Sequence, residues 1–150
     1  MDKVHFSSNK DDWCTPWDFF NKLDSEFHFT LDAAASHANA KCTRYFTAED
    51  DGLSQDWAWE TVWVNPPYGR ATDRWVEKAY LESRKPETTV VMLLAARTDT
   101  KRFHQWIFPH AKEIRWIPGR IKFTNDQGVP ADEAPFPSCV VIFKAEDKAP

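Results

Sequence analysis

No stretch of this 150-residue chain approaches the roughly 18 consecutive apolar residues that a membrane-spanning helix needs. The opening segment, Met1 to Trp13, lacks the apolar core and cleavage site of a secretory signal. Internal repeats and low-complexity tracts are also missing. The three cysteines, Cys14, Cys42 and Cys139, are odd in number, widely spaced and never in a CxxC. That usage argues against a disulfide framework and for a reducing, cytoplasmic setting. His5, His28, His37, His104 and His110 show no HxH or HExxH spacing, so no metal site is expected from them, with or without Cys42. A positive balance is lacking too: the formal net charge is −4 at pH 7.

The composition that remains is that of a globular chain, with 42% hydrophobic and 28% charged residues. Its length predicts one domain over residues 1–150, able to bury roughly 70% of its unfolded surface without staples. The charge is unevenly spread. Arg97, Lys101, Arg102, Lys112, Arg115, Arg120 and Lys122 are opposed only by Asp99 and Glu113, which gives residues 97–122 a net +5 and the rest −9. A phosphate-facing surface on an acidic body explains this, and so does a solvated helix face with loop charges.

Thr15-Pro16-Trp17-Asp18 reads as a helix start, with a hydroxyl N-cap and proline at the first helical position. Phe20, Leu23 and Phe27 then supply an inward face. Phe27 to Leu31 reads as a short strand ending at Asp32, Ala33 to Ala40 as a segment that begins helically, and Thr43 to Thr47 as another strand. Thr61 to Val64 is a β-branched and aromatic strand that stops at Asn65. A helical stripe follows in Trp75, Val76, Ala79 and Tyr80, closed by Lys85-Pro86. Thr88 to Ala96 reads as a buried strand, and Thr98 or Asp99 as the cap of a helix carrying Phe103, Trp106 and Ile107, ended by Pro109. Ile114 to Ile117 and Cys139 to Phe143 are further strands. Between them, Asn125 to Gly128 is a turn and Val129 to Pro137 a proline-containing loop. Gly119 to Phe123 alternates polar and apolar residues, either as an amphipathic strand in water or as a DNA-facing strand leading into a mobile loop. Alternating strands and helices predict a largely parallel sheet with helices on both faces. Asp32, Asn65 and Arg97 each end a strand, where ligands of such sheets gather.

Asn65-Pro66-Pro67-Tyr68 carries the most chemistry. The amino group of adenine is a poor nucleophile because its lone pair is delocalised into the ring. Two acceptors aimed at its hydrogens draw the nitrogen towards tetrahedral geometry and accommodate the charge of the transition state. The Asn65 side chain supplies one acceptor and the Pro66 carbonyl the other, with Pro66 and Pro67 holding the chain rigid. Tyr68 offers a ring face to a flipped-out base, and Gly69 lets the backbone turn clear of the pocket. A plain strand-ending turn is the competing reading. The apolar strand before the motif and the Tyr-Gly after it favour chemistry.

Asn-Pro-Pro-Tyr is shared by amino-group methyltransferases. Together with Trp13-Cys14-Thr15-Pro16, Leu31-Asp32-Ala33-Ala34, Asp51-Gly52-Leu53, Trp63 to Gly69 and Gly119 to Phe123, the chain resembles the small phage-type DNA N6-adenine methyltransferase (Dam) family from about Ser8 to Phe143. The resemblance implies an α/β, three-layer, Rossmann-like methyltransferase fold with a mostly parallel sheet and no separate target-recognition domain. It implies S-adenosylmethionine as cofactor and DNA as partner. Asn65, Pro66, Pro67 and Tyr68 would be catalytic. Trp13, Thr15, Pro16, Asp32, Ala33, Asp51 and Asn65 would hold the cofactor, Thr15-Pro16 closing over its methionine part and Asp51 lying near its adenosyl group. Arg70, Arg97, Lys101, Arg102, Arg120, Lys122 and Phe123 are the expected DNA contacts. Base reading would fall to loops 70–74 and 119–137, with GATC the site that the family name suggests and a homodimer one way to build it. One departure stands out: Asp32 is followed by Ala33-Ala34-Ala35-Ser36, where most methyltransferases place Gly-x-Gly. The rival readings are methylation of RNA adenine or of a protein glutamine by the same tetrapeptide, and a catalytically silent nucleic-acid-binding module.

Overall fold

The computed structural model describes residues 13–125, 127–130 and 133–145. The expectation for the segment before Trp13, Asp126 of the predicted turn, and residues 131 and 132 of the predicted loop lie outside them. In chain order the elements are α1 (Trp17–Phe27), β1 (Leu31–Asp32), a 3-10 turn (Gly52–Ser54), β2 (Thr61–Val64), α2 (Ala71–Ser83) and β3 (Thr89–Ala95). A π-helical turn (Phe103–Ile107), α3 (Phe108–His110), β4 (Glu113–Trp116) and β5 (Ser138–Lys144) complete them.

The strands form one sheet in the order β1-β2-β3-β5-β4. β1, β2 and β3 are mutually parallel, while β5 is antiparallel to both of its neighbours, so the sheet is mixed rather than simply parallel. β4 therefore runs in the same direction as β3, and β5 alone is reversed. Alternation along the strands divides the core in two. Val62, Val64, Met92, Leu94, Val141 and Phe143 pack with Trp75, Val76 and Ala79 of α2 and with Phe103 and Ile107. Trp63, Val91, Leu93, Val140 and Ile142 pack with Phe20 and Leu23 of α1 and with Ile121, Phe123 and Phe136. Helices thus cover one face through α2 and the other through α1. Glu82, buried near the end of α2, accepts the Trp57 N–H at 2.6 Å and pairs with Lys78 and Lys85, so α2 holds the chain that leads into β2.

Several local expectations change. The first helix begins at Trp17 with Pro16 as its extended cap residue and no side-chain cap. Cys14 instead pairs with Thr124 as an antiparallel bridge, and the Thr15 hydroxyl is buried without a partner. Phe27 belongs to α1, and His28, in the left-handed conformation, closes the helix by donating its N–H to Asp24. β1 is consequently confined to Leu31–Asp32. Ala33 to Ala40 is not helical, because the Trp63 and Phe46 carbonyls take the Ala33 and Ala35 amides and side chains capture others in and beside the segment. Asp32 accepts the N–H of Ala34 and of Lys41, and Asn39 accepts that of Ser36. Of Thr43 to Thr47, Tyr45 alone forms a bridge, to Asp32. The third helix carries no side-chain cap and winds as a π turn, with Pro109 inside its last α turn instead of after it. Gly119 to Phe123 is irregular rather than a strand, yet its alternation persists: Ile121 and Phe123 are buried, Arg120 and Lys122 exposed.

Candidate active site

The carboxyl ends of β1 and β2 open onto a cleft of about 580 Å³. Parallel pairing sets Asp32 beside Trp63, so Asp32 and the chain leaving β2 at Asn65 share one wall. The Ala33–Ser36 segment and the Asp51-Gly52-Leu53 turn line the cleft as well. Gly52 is buried, and a β-carbon there would lie 2.2 Å from the Ala33 carbonyl oxygen and 2.9 Å from the Trp75 ring. Close approach requires the glycine here; its φ is ordinary. Gly52 thus lets the turn pack against the backbone that follows Asp32, and the Trp57 indole N–H holds the Gly52 carbonyl at 3.0 Å.

Asp32 is 3% exposed, and burial pushes its carboxyl up to about 6 despite the Lys41 and Ala34 amides that favour the anion. Thr15, Asn39 and Lys41 line the same cleft. Asp51 lines it too and adopts the left-handed conformation, φ 56°.

Asn65 Nδ2 donates to the Trp13 carbonyl at 2.7 Å, leaving Oδ1 buried and, among the described residues, unpaired. Pro66 is buried behind it. The Pro67 carbonyl accepts the Thr72 hydroxyl at 2.6 Å, which ties the motif to the first turn of α2. Beyond the motif lies a second cavity of about 250 Å³, bordered by Trp13, Tyr68, Gly69, Thr72, Arg97 and Phe136 among others. Trp13 borders both cavities, and the motif separates them: Asn65, Pro66 and Pro67 face the first, Tyr68 the second. Tyr68 packs in a cluster with Trp13, Phe123 and Phe136, its ring centroid 5.2 to 6.1 Å from theirs. Its hydroxyl is buried without a partner among the described residues, and burial pushes its pKa strongly upward.

The expected cofactor residues Trp13, Thr15, Asp32, Ala33, Asp51 and Asn65 all border the first cleft, whereas Pro16 does not. The expected DNA contacts divide. Arg97 and Arg102 border the second cavity, Arg97 over the Phe136 ring at 5.6 Å and Arg102 held by Asp73 and by the Gly69 carbonyl. Arg70 is exposed next to Gly69. Arg120 donates to the Ala134 carbonyl at 3.3 Å. Lys101 and Lys122 are exposed and border neither cavity. Phe123 is 2% exposed, because the alternation that sends Lys122 outward turns it into the aromatic cluster. It therefore offers no surface to DNA directly. Arg115, also within the basic segment, is bound by Glu26 and Glu113. Lys41 lies in no motif of the sequence, and Gly52 enters only within Asp51-Gly52-Leu53, since their places in the cleft depend on loops folding beside β1. Among the described residues, no group of three or more His, Cys, Asp or Glu side chains is placed to hold a metal, and no helix is long and apolar enough to cross a membrane. The three cysteines form no disulfide.

The family described as DNA N-6-adenine-methyltransferase (Dam) matches residues 4–149 of the chain. A DNA N-6-adenine-methyltransferase of Haemophilus phage HP1 (strain HP1c1) is 37% identical over 147 residues, covering 95% of this chain and 83% of that protein. Another of that name, from Escherichia phage T1, is 36% identical over 110 residues, covering 72% of this chain and 45% of the phage protein.

Proposed function

Since the chain belongs to the DNA N-6-adenine-methyltransferase (Dam) family, we propose that it transfers a methyl group from S-adenosylmethionine to the N6 amino group of adenine in DNA, at Asn65 to Tyr68. The observation that carries this reading is the Asn65 carboxamide, anchored through Nδ2 to the Trp13 carbonyl with Oδ1 buried and unpaired between two cavities. A buried acceptor without a donor is costly unless something arrives to use it. An amine entering from the second cavity would do so.

The fold reading follows the same line. Helices on both faces of a five-stranded sheet, with β5 reversed, support a three-layer, Rossmann-like methyltransferase architecture. The first cleft has the size of a cofactor site. Its buried Asp32 and orphaned Thr15 hydroxyl suit a polar, charged ligand. When bound, S-adenosylmethionine supplies an electrophilic methyl group. In this reading Asp51, which lines the cleft, meets the adenosyl end.

The protein's part is positioning. Tyr68, backed by Trp13, Phe123 and Phe136, presents a firm ring against which a flipped base stacks. Asn65 Oδ1 accepts from the amine, and Pro66 and Pro67, tied down through Thr72, keep the acceptors aimed. A carboxamide is not a base at neutral pH, so Asn65 orients and polarises the amine, and the released proton leaves to solvent. Arg97, which borders the second cavity, suits a phosphate of the flipped nucleotide, while Arg102 is engaged by Asp73 and the Gly69 carbonyl. Of the two segments expected to read bases, residues 71–74 are the first turn of α2, not a loop, which leaves residues 119–125, 127–130 and 133–137 among the described residues for that role.

The test is methyl transfer from labelled S-adenosylmethionine to unmethylated DNA, to RNA and to glutamine-containing protein. The reading expects label in DNA. Label in RNA or protein alone would transfer the same site to one of the rival substrates.

A further inference from the structure

Lys41 is a half-buried cation in the wall of the first cleft. Its ammonium lies 4.2 Å from the centroid of the Trp17 ring and 3.5 Å from the Asn39 carbonyl, and among the described residues it forms no salt bridge. Its own backbone N–H is bound by Asp32 at 3.0 Å, and its ammonium is close enough to the Asp32 carboxylate to interact with it electrostatically. Thr15, 2% exposed, lines the same cleft with a hydroxyl that has no partner among the described residues. A buried anion, a half-buried cation and an orphaned hydroxyl together make an unusual wall. It suits a ligand that carries both charges.

We propose that Lys41, assisted by the Thr15 hydroxyl, binds the α-carboxylate of the donor's amino-acid end while Asp32 receives its ammonium. This rests on the cofactor reading above and assigns to Lys41 a role beyond it. An α-amino acid presents the two charges on adjacent atoms, and the Asp32–Lys41 loop offers their complements from one short segment. Burial pushes the Lys41 pKa down and that of Asp32 up, so both groups give up solvation that a zwitterion restores. The Trp17 ring keeps the flexible lysine stem in place before the ligand arrives. Asp32 itself takes the Ala34 and Lys41 amides, and the Lys41 side chain supplies the positive charge beside them.

The experiment is calorimetric binding to the full chain of two ligands, S-adenosylhomocysteine and 5′-methylthioadenosine, which lacks the amino-acid end. Parent, Lys41→Met and Lys41→Arg are compared, with folding checked by circular dichroism. Lys41→Met is expected to weaken S-adenosylhomocysteine roughly ten- to a hundredfold, the range of a hydrogen bond to a charged group, and to leave methylthioadenosine unchanged. Lys41→Arg should restore most of the loss. Equal weakening of both ligands would make Lys41 a general wall residue and overturn the assignment, as would unchanged S-adenosylhomocysteine affinity. A parent protein that binds neither ligand would remove the cofactor reading itself, and this inference with it.

Discussion

Trp13 and Asn65, 52 positions apart, are joined by a 2.7 Å hydrogen bond from the Asn65 side-chain amide to the Trp13 carbonyl. The bond fixes which end of the carboxamide points away, leaving Oδ1 as a buried acceptor at the boundary between the two cavities. The segment that supplies Trp13 is itself anchored by reciprocal backbone bonds of 3.0 Å between Cys14 and Thr124.

Replacing Asn65 by Ala removes a transition-state acceptor and should lower kcat roughly 10²–10³-fold. Affinity for S-adenosylmethionine should fall only modestly. Steady-state kinetics beside calorimetry separate the two. A mutant that loses cofactor affinity and keeps its turnover would reassign Asn65 to the donor cleft.

Tyr68→Phe should retain most activity, since the hydroxyl has no partner and the ring is what the cluster supports. Tyr68→Ala should weaken capture of the base and raise KM for DNA. If Phe is as damaging as Ala, the hydroxyl matters and stacking is the wrong account.

Asp32 makes the cofactor-free protein sensitive to pH. Burial raises its carboxyl from 3.8 to about 6, so the native state holds the proton more tightly than the unfolded chain. The associated stability is fully present below the unfolded value and is lost as pH rises through about 6. Of the groups around it, Lys41 is a cation and the Cys42 thiol, pushed up to about 12 by burial, stays neutral. Thermal midpoints of the parent should therefore decline relative to Asp32→Asn between about pH 4 and 6. Affinity for a ligand bearing an ammonium should rise over the same interval. Parallel midpoint curves for parent and mutant would show that Asp32 titrates near its ordinary value.

Gly52→Ala places a methyl group against the Ala33 carbonyl, where only backbone movement relieves the contact. The expected cost is about 1–3 kcal/mol of stability, with cofactor affinity lowered because the turn lines the cleft. Unchanged melting and binding would mean that the 51–53 turn is free to shift.

The basic segment should act unequally on DNA. Arg97→Ala and Lys101→Ala are each expected to reduce the slope of log affinity against log salt by about one. Arg115→Ala should leave it unchanged, since Glu26 and Glu113 already hold that guanidinium. Parallel slopes in all three would make residues 97–122 a solvated face.

The strands at Thr61 and Thr89, the inward face of α2 and the Asn-Pro-Pro-Tyr site were legible because their signals are local: β-branched runs, a 3.6-residue stripe and a contiguous motif. What the sequence hid depends on side chains competing for backbone amides. Ala33 to Ala40 has helix-forming composition, yet Asp32, Ser36 and Asn39 take its N–H groups and wrap it around the cleft. The 119–123 segment shows the converse. Its alternation was legible, but the alternation placed Phe123 in the core against Tyr68 rather than at the surface. The antiparallel placement of β5 between β3 and β4 had no local signal, since a buried strand reads the same in either direction.

Nucleoside analysis of unmethylated DNA incubated with S-adenosylmethionine and either the parent or Asn65→Ala tests the central claim most directly. The account predicts N6-methyladenine with the parent, and at least about a hundredfold less with Asn65→Ala at equal cofactor occupancy. Methyl groups on a different nucleoside, or equal N6-methyladenine from both proteins, would contradict it.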